Sequence, residues 1–473
     1  MKFRSLVITL AVGLCGIGRA QADEAEDRAD AAIVKLGVTV TRDETKPGKP
    51  IVAAYLSNRQ VKESVLKELA QLHSLATIEL SGNNVTDAPL KELAQVKGLT
   101  ELRLYNTKVA DEGLKQLAQV EGLIELRLLS TVLPEAGLKE LAQLKSLTRL
   151  HLSGRNVTDD SLKDLAQVKG LTELHMFGTS ITDAGLKEVA QVKGLAKLDL
   201  FYANVTNAGL MEIKQLKGLT YLNLRNTNVT DDGLFEIAQL KKLSILFLDN
   251  TQVTDAGLME LAQIKSLTML SLMGTKVTDT GLSEIAQLPS LTVLNLQGLK
   301  VTDAGAKEIA RIKGLKKLWL NRTKVTDVGL KDIAQLKELT YLDLSGTQTT
   351  DTGVKEITQL TNLTDLLLTD TKVTFTGLKE IAELRNLSRL ELRNTKVTVA
   401  GLKEIAQLKG LSHLNLKSTK VTDAGLKELA QFNGLTSLAL GPYSDVTSAG
   451  VAELQEALPH CKINWQRTIV MFP

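Results

Sequence analysis

Cysteine, aromatic residues and net charge are all scarce in this sequence, and each shortage narrows what the chain can be. The only cysteines are Cys15 and Cys461. If Cys15 leaves with a leader, no internal disulfide can form, and stability must come from a core. Aromatics are 3% of residues while hydrophobic residues are 43%, so that core is aliphatic, built from Leu, Ile, Val and Ala. Charge is close to balanced, with 57 Lys and Arg against 54 Asp and Glu. A balanced chain without a basic block argues against nucleic acid or an anionic membrane as the main partner. No Gly-x-Ser-x-Gly, His-Glu-x-x-His, phosphate-binding glycine loop or Cys-x-x-Cys occurs. Nothing therefore specifies a reaction, and neither enzymatic activity nor a cofactor is expected.

The first 22 residues read as a signal peptide. Lys2 and Arg4 form a basic start, Leu6 to Leu14 is an apolar run too short for a stable span, and Ala20-Gln21-Ala22 supplies a small-x-small cleavage pattern. These residues carry three bases and no acid, so their removal leaves a formally neutral chain starting at Asp23, with no transmembrane segment. Lipidation at Cys15 and retention as an anchor are the alternatives. The bulky Leu14 before Cys15 disfavours the first. Export to the periplasm, cell surface or extracellular space is the expected location.

What the sequence has in abundance is repetition. Leu99, Leu102, Leu104, Val109 and Leu114 recur 24 residues later as Leu123, Leu126, Leu128, Leu133 and Leu138, and again as Leu147, Leu150, Leu152, Val157 and Leu162. The register holds from Leu75 to Leu435, with a degenerate turn before it (Ile51, Ala54, Leu56, Val61). One residue is inserted after Leu440, and a last half-turn follows at Ile463 and Trp465, giving about seventeen repeats. Within a repeat, Leu102-Arg103-Leu104 alternates as a strand does. In Val253-Thr254-Asp255-Ala256-Gly257-Leu258, Thr254 or Asp255 is placed to cap a helix of two to three turns. Leu258, Leu261, Ala262 and Ile264 then fall on one helical face. No single repeat can hide its leucines, so the repeats must stack. The expected fold is an α/β solenoid, a horseshoe with a concave parallel β-sheet and short α-helices on the convex side.

The recurring Thr after each strand (107, 131, 179, 227, 251, 275, 323, 347, 371, 395 and 419) is read as a structural hydroxyl ladder. The recurring Asp at 255, 279, 303 and 327 supplies one carboxylate per turn, too few for a calcium shell. The expected organisation is a signal peptide (1–22), an N-terminal cap (23–50), the solenoid (51–442) and a C-terminal cap (443–473). In the first cap, 23–36 reads as an amphipathic helix with Ala29, Ile33 and Leu36 on one side. In the second, Leu458-Pro459 ends the last helix and residues 461–465 form an edge strand.

Across residues 51–465 this repeat resembles the leucine-rich repeat superfamily. Its helix-bearing form, Val-Thr-Asp-x-Gly-Leu-Lys-x-Leu-Ala, looks like the ribonuclease-inhibitor-like and F-box-associated subtypes. The near-identical copies are similar to exported arrays of planctomycete-type bacteria. The resemblance implies a protein-binding scaffold. One alternative is a glycan- or cell-wall-binding structural protein. Another is a substrate-recognition module of F-box-like type without the F-box, for which the 28 residues between the expected cleavage and Ile51 leave no room.

Framework positions are shared by every repeat, so selectivity must come from the variable strand positions. These lie two, four, six and seven residues after the first Leu. Eight aromatics fall there: Tyr105, Phe177, Phe201, Tyr202, Tyr221, Phe247, Trp319 and Tyr341. The helix pattern needs none of them, and they are the candidate ligand-binding residues. The densest group is Phe177, Phe201, Tyr202, Tyr221 and Phe247, with Met269 and Met273 next to it, and Glu101, Arg103, Glu125, Arg127, Arg149 and Glu173 form a mixed-charge patch before it. His151 and His175 share one offset near Asp199. They are read as a pH-sensitive contact rather than a zinc site, because no full ligand set is evident. We predict that export removes residues 1–22. Intact mass of the exported chain should give Asp23 as its first residue, and a retained or lipidated leader would refute this.

Overall fold

The computed structural model describes residues 26–57, 61–83, 85–131, 138–441 and 445–465. The expected signal peptide, Cys15 and parts of both caps lie outside them. The chain divides into two compact units, 1–222 and 223–473.

In the first unit a helix over 26–35 precedes β1 (Thr39–Arg42), which pairs antiparallel with β2 (Ile51–Ser57). From β2 the ladder is parallel and in chain order: β3 (Thr77–Ser81), β4 (Glu101–Tyr105), β5 (Glu125–Leu129), β6 (Arg149–Ser153), β7 (Glu173–Phe177) and β8 (Lys197–Asp199). β9 (Tyr221–Asn223) carries the division between the units. The second unit repeats the plan with β10 (Ile245–Phe247), β11 (Met269–Ser271), β12 (Val293–Asn295), β13 (Lys317–Trp319) and β14 (Tyr341–Asp343). It continues with β15 (Asp365–Leu367), β16 (Arg389–Glu391), β17 (His413–Asn415), β18 (Ser437–Leu440) and β19 (Lys462–Trp465). Every partner along β2 to β8 and β10 to β18 is offset by 24 residues, so each central leucine stacks on the next, as Leu246 on Leu270 and Leu294. These leucines are fully buried. Each contributes on the order of 2 kcal/mol by leaving water.

Between strands, seven-residue helices such as Asp255–Leu261 bury their Leu pair. They have two turns, the short end of the expected range. Ile264 is buried but lies beyond the helix end, so it is a core residue of the return turn and not of the helical face. Around the middle of the first unit the helix gives way to 3-10 turns at Glu140–Gln143, Asp160–Leu162 and Leu165–Gln167. At the N-terminal cap Ala29 and Ile33 are buried as expected, but Leu36 is half exposed. The helix ends at residue 35, Gly37 turns the chain at φ 69°, and Val38 takes the buried place.

The threonine ladder bonds mostly within its own repeat. The Thr227, Thr251, Thr323 and Thr419 hydroxyls donate at 2.6–2.7 Å to the leucine carbonyl three residues earlier. Among the described residues of the ladder, the Thr107–Thr131 contact (2.9 Å) runs hydroxyl to hydroxyl between repeats.

The threonine caps the helix, and the aspartate after it serves the next repeat. Thr278 accepts its own helix's Thr280 N–H at 3.4 Å, while Asp255, one repeat earlier, accepts the Thr278 N–H at 2.7 Å and hydroxyl at 2.6 Å. The same double bond joins Asp231 to Thr254, Asp279 to Thr302, Asp303 to Thr326, Asp327 to Thr350 and Asp351 to Thr374. The glycine of the motif makes room for it. A Cβ on Gly281 would sit 2.5 Å from Asp255 Oδ1 and 2.8 Å from Leu258 Cδ1. Where Phe375 and Val399 replace the aspartate, the Thr398 and Thr422 caps make no side-chain bond. A Cβ on Gly425 would meet nothing closer than 3.0 Å.

Alanine in place of glycine inside a helix ordinarily stabilises by roughly 0.5–1 kcal/mol. Here Gly281→Ala should instead destabilise, and by more than Gly425→Ala, whose Cβ meets only side-chain methyls at 3.0–3.4 Å. Asp255→Ala should cost about 1–2 kcal/mol for two lost charge-assisted bonds. Denaturant unfolding of the three variants checks the order.

Candidate functional site

Alternation along each strand sends the leucines inward and the variable residues to the opposite face. All eight candidate aromatics emerge on that face or its rim, none of them fully buried. They do not form one site. Tyr105 ends β4, flanked in register by Ser81 and Leu129. Phe177, Phe201 and Tyr202 form a cluster in the first unit. The phenyl rings of Phe177 and Phe201 stack with centroids 5.0 Å apart, and Phe201 meets Tyr202 at 4.5 Å. Tyr221 is half-buried on β9. In the second unit Trp319 and Tyr341, on neighbouring strands, pair at 4.6 Å. Phe247 is covered by its own chain, with the Arg225 guanidinium 4.1 Å from its ring centre.

Phe177 and Tyr202 remain 51% and 56% exposed. Tyr202 is also held at φ 61°, in the left-handed region. The equivalent turn position in other repeats is glycine (154, 178, 274, 298, 346) or a short polar residue such as Asn106, Asn226, Asn250, Asp370 and Asn394. Those residues enter this region at little cost and a bulky ring does not. Arg322 (φ 58°) is the other bulky exception among the repeats. A cavity of about 440 Å³ opens beside Tyr202, lined by Arg155, Gly178, Thr179, Ser180, Tyr202 and Asn204. The sequence carried this signal: aligning the repeats shows a tyrosine where glycine and asparagine predominate.

A second turn device escaped the sequence reading. Asn223, Asn295, Asp343 and Asn415, at the four-residue offset, accept the N–H two residues on at 2.9–3.1 Å and shape the strand exit. Asp199 does the same for Phe201 at 3.0 Å. At this position Phe247 and Trp319 give up a local stabilising bond, so their presence is not required by the turn.

The mixed-charge patch is internally matched. Buried Glu125 meets Arg127 and Arg149 at 2.6 Å and His151 at 3.2 Å. Burial pushes the Glu125 carboxyl up, but the Arg149 hydrogen bond and the surrounding positive charges outweigh it and hold the group below its ordinary range. Arg103 reaches Glu101 at 2.7 Å, and Lys197 reaches Glu173 at 2.9 Å. The His151 and His175 rings stack at 4.3 Å and are within 3° of parallel. His175 lies 3.7 Å from Asp199 and 3.9 Å from Glu173. Burial first, then the positive charges of His175 and Arg127, push His151 down to about 4. The folded state therefore binds fewer protons than the unfolded chain between about pH 4 and 6.5. This contribution to stability is complete above pH 6.5 and is lost as pH falls through 4. The difference in unfolding free energy between pH 7 and pH 4.5 should shrink by about 2 kcal/mol in His151→Gln. Urea unfolding of both proteins at the two pH values checks this, and an unchanged difference would refute it.

A model of a leucine-rich repeat region matches residues 263–473, and a second leucine-rich repeat model matches 171–190 and 218–238. No curated protein matches the sequence. Among solved structures the chain is similar to a leucine-rich repeat protein from Leptospira interrogans, at 29% identity and TM-score 0.49, over 84% of this chain and 91% of that one. It is also similar to an internalin from Listeria monocytogenes, at 19% identity and TM-score 0.48, over 82% and 94%. A further Listeria internalin matches at 28% identity and TM-score 0.37, over 43% and 83%. The 24-residue strand-and-helix unit, the in-register parallel ladders and these family-model matches identify the repeats as leucine-rich repeats.

Proposed function

We propose that the chain is a non-enzymatic scaffold, exported to the cell envelope, that captures a protein partner through the variable residues of its strand face. The observation that carries this reading is the Phe177, Phe201 and Tyr202 cluster. Two of its rings are more than half exposed, and one occupies a backbone conformation that costs a bulky side chain energy. Exposed clustered aromatics are costly in water and are typical anchors of protein interfaces. Export rests on the N-terminal pattern of residues 1–22. Among the described residues no helix is long and apolar enough to cross a membrane. The ribonuclease-inhibitor-like subtype and a planctomycete-like origin rest on the repeat motif alone. The same rings can also stack on sugars, which makes a glycan the second ligand class to test.

Simultaneous Phe177→Ala, Phe201→Ala and Tyr202→Ala should lower partner affinity at least tenfold with little loss of stability, because these side chains contribute no core volume. Pull-down from the envelope fraction of the source organism, alongside a glycan array, checks it. Undiminished capture by the triple variant would remove this surface from the function.

A further inference from the structure

The second unit contains, within one chain, a complete example of how this fold holds an arginine. Arg225 lies with its guanidinium 4.1 Å from the centre of the Phe247 ring, and its Nε donates at 2.6 Å to the fully buried carboxylate of Asp249. Ser271 donates to the other oxygen of Asp249 at 2.6 Å. Aromatic face and carboxylate together suit a planar cation: the ring attracts it and the carboxylate fixes its fork.

Three repeats on, aromatic rings and carboxylates meet again, and here Arg389, opposite Asp365 in the register, pairs with Glu391 at 2.9 Å. Trp319 and Tyr341 pair at 4.6 Å on β13 and β14, both half-buried on the strand face. Asp343 stands directly opposite Trp319 in the parallel register, and Asp365 opposite Tyr341, each about 4.8 Å across the ladder. Asp343 is only 7% exposed. Its Oδ1 accepts the Ser345 N–H at 2.9 Å, and the Ser345 side chain bonds to the same carboxylate. Burial, with Glu391 nearby, raises its carboxyl above the ordinary range, and burial likewise pushes the Tyr341 hydroxyl up to about 12. Among the described residues no arginine covers the Trp319 or Tyr341 ring. Two residues beyond Trp319, in the turn that follows β13, Asn321 is nine-tenths buried, and its Oδ1 has no hydrogen-bond partner in the structure.

We propose that Trp319, Tyr341, Asp343 and Asp365 form a subsite for an arginine side chain of the protein partner. The guanidinium stacks on the Trp319–Tyr341 pair and pairs with the Asp343 and Asp365 carboxylates. Lysine has the charge but lacks the planar fork. This assignment deepens the scaffold reading and rests on it, but uses residues independent of the Phe177 cluster.

The test uses the full chain with selectively labelled tryptophan indoles. Trp319 and Trp465 are its only two tryptophans, so the second serves as an internal reference. Acetyl-Gly-Arg-Gly-amide should shift the Trp319 indole N–H resonance saturably and leave Trp465 unmoved. The citrulline and lysine counterparts should bind at least tenfold more weakly. Asp343→Asn should weaken the arginine peptide at least tenfold without unfolding, since Asn295 and Asn415 already make the same turn bond at 3.0 Å. The exposed-side variant Asp365→Asn should weaken it severalfold and keeps the test sound if Asp343→Asn is unstable. Equal binding of the citrulline or lysine peptide, no Trp319 shift, or indifference to both aspartate variants would overturn the arginine subsite. Such a failure, with envelope capture still lost in the Phe177, Phe201 and Tyr202 variant, would leave the scaffold reading standing. Retained capture in that variant would instead refute the scaffold surface and leave the peptide result to be judged by itself.

Discussion

A carboxylate that completes the next repeat is the contact on which much of the second unit's regularity depends. Asp231 fixes Thr254, Asp255 fixes Thr278, and so on through Asp351 and Thr374, each through one N–H and one hydroxyl. Hydrophobic burial drives stacking but sets register only loosely, because one leucine layer resembles another. A bidentate bond of 2.5–2.8 Å is directional and admits one offset. Where the previous repeat carries the aspartate, the motif glycine is explained by the same contact, since a methyl group there would strike that carboxylate. Three motif positions thus encode one interaction.

This division of labour frees the strand face. Leucine burial, the threonine bonds and the aspartate staple use the inward positions and the helix starts, so the outward strand residues contribute little to cohesion. In repeat proteins stability is close to a sum of intrinsic and nearest-neighbour terms. A substitution on the strand face therefore perturbs few neighbours. Two kinds of surface occupy that freedom. Glu125, itself buried, is satisfied within the protein by its two arginines and His151. Phe177 and Tyr202 are left in contact with solvent.

Composition and periodicity determined the repeat length, the parallel stacking, the Leu-x-Leu strands and the placement of all eight candidate aromatics on the variable face. They could do so because burial is periodic: a leucine recurring every 24 positions has one way to leave water. The sequence also grouped Phe177, Phe201, Tyr202, Tyr221 and Phe247, since adjacent repeats place these offsets side by side, and ring contacts join the first three. It overextended the helical face to Ile264 and buried Leu36, because boundaries depend on where the chain turns rather than on which residues are apolar.

Tertiary structure alone decided the partners of polar groups. Periodicity placed the aspartate at a helix start, where capping its own helix was the natural expectation. Only packing shows the carboxylate turned toward the neighbouring repeat. In the same way one aromatic, Phe247, is occupied by Arg225, while Trp319 and Tyr341 pair with each other and Asn321, in the turn that follows β13, is left unsatisfied. Hydrophobic patterning reports how far a residue is from water and is written along the chain. Hydrogen bonds and ring contacts depend on direction over a few ångströms, and that is fixed only when separate repeats are brought together.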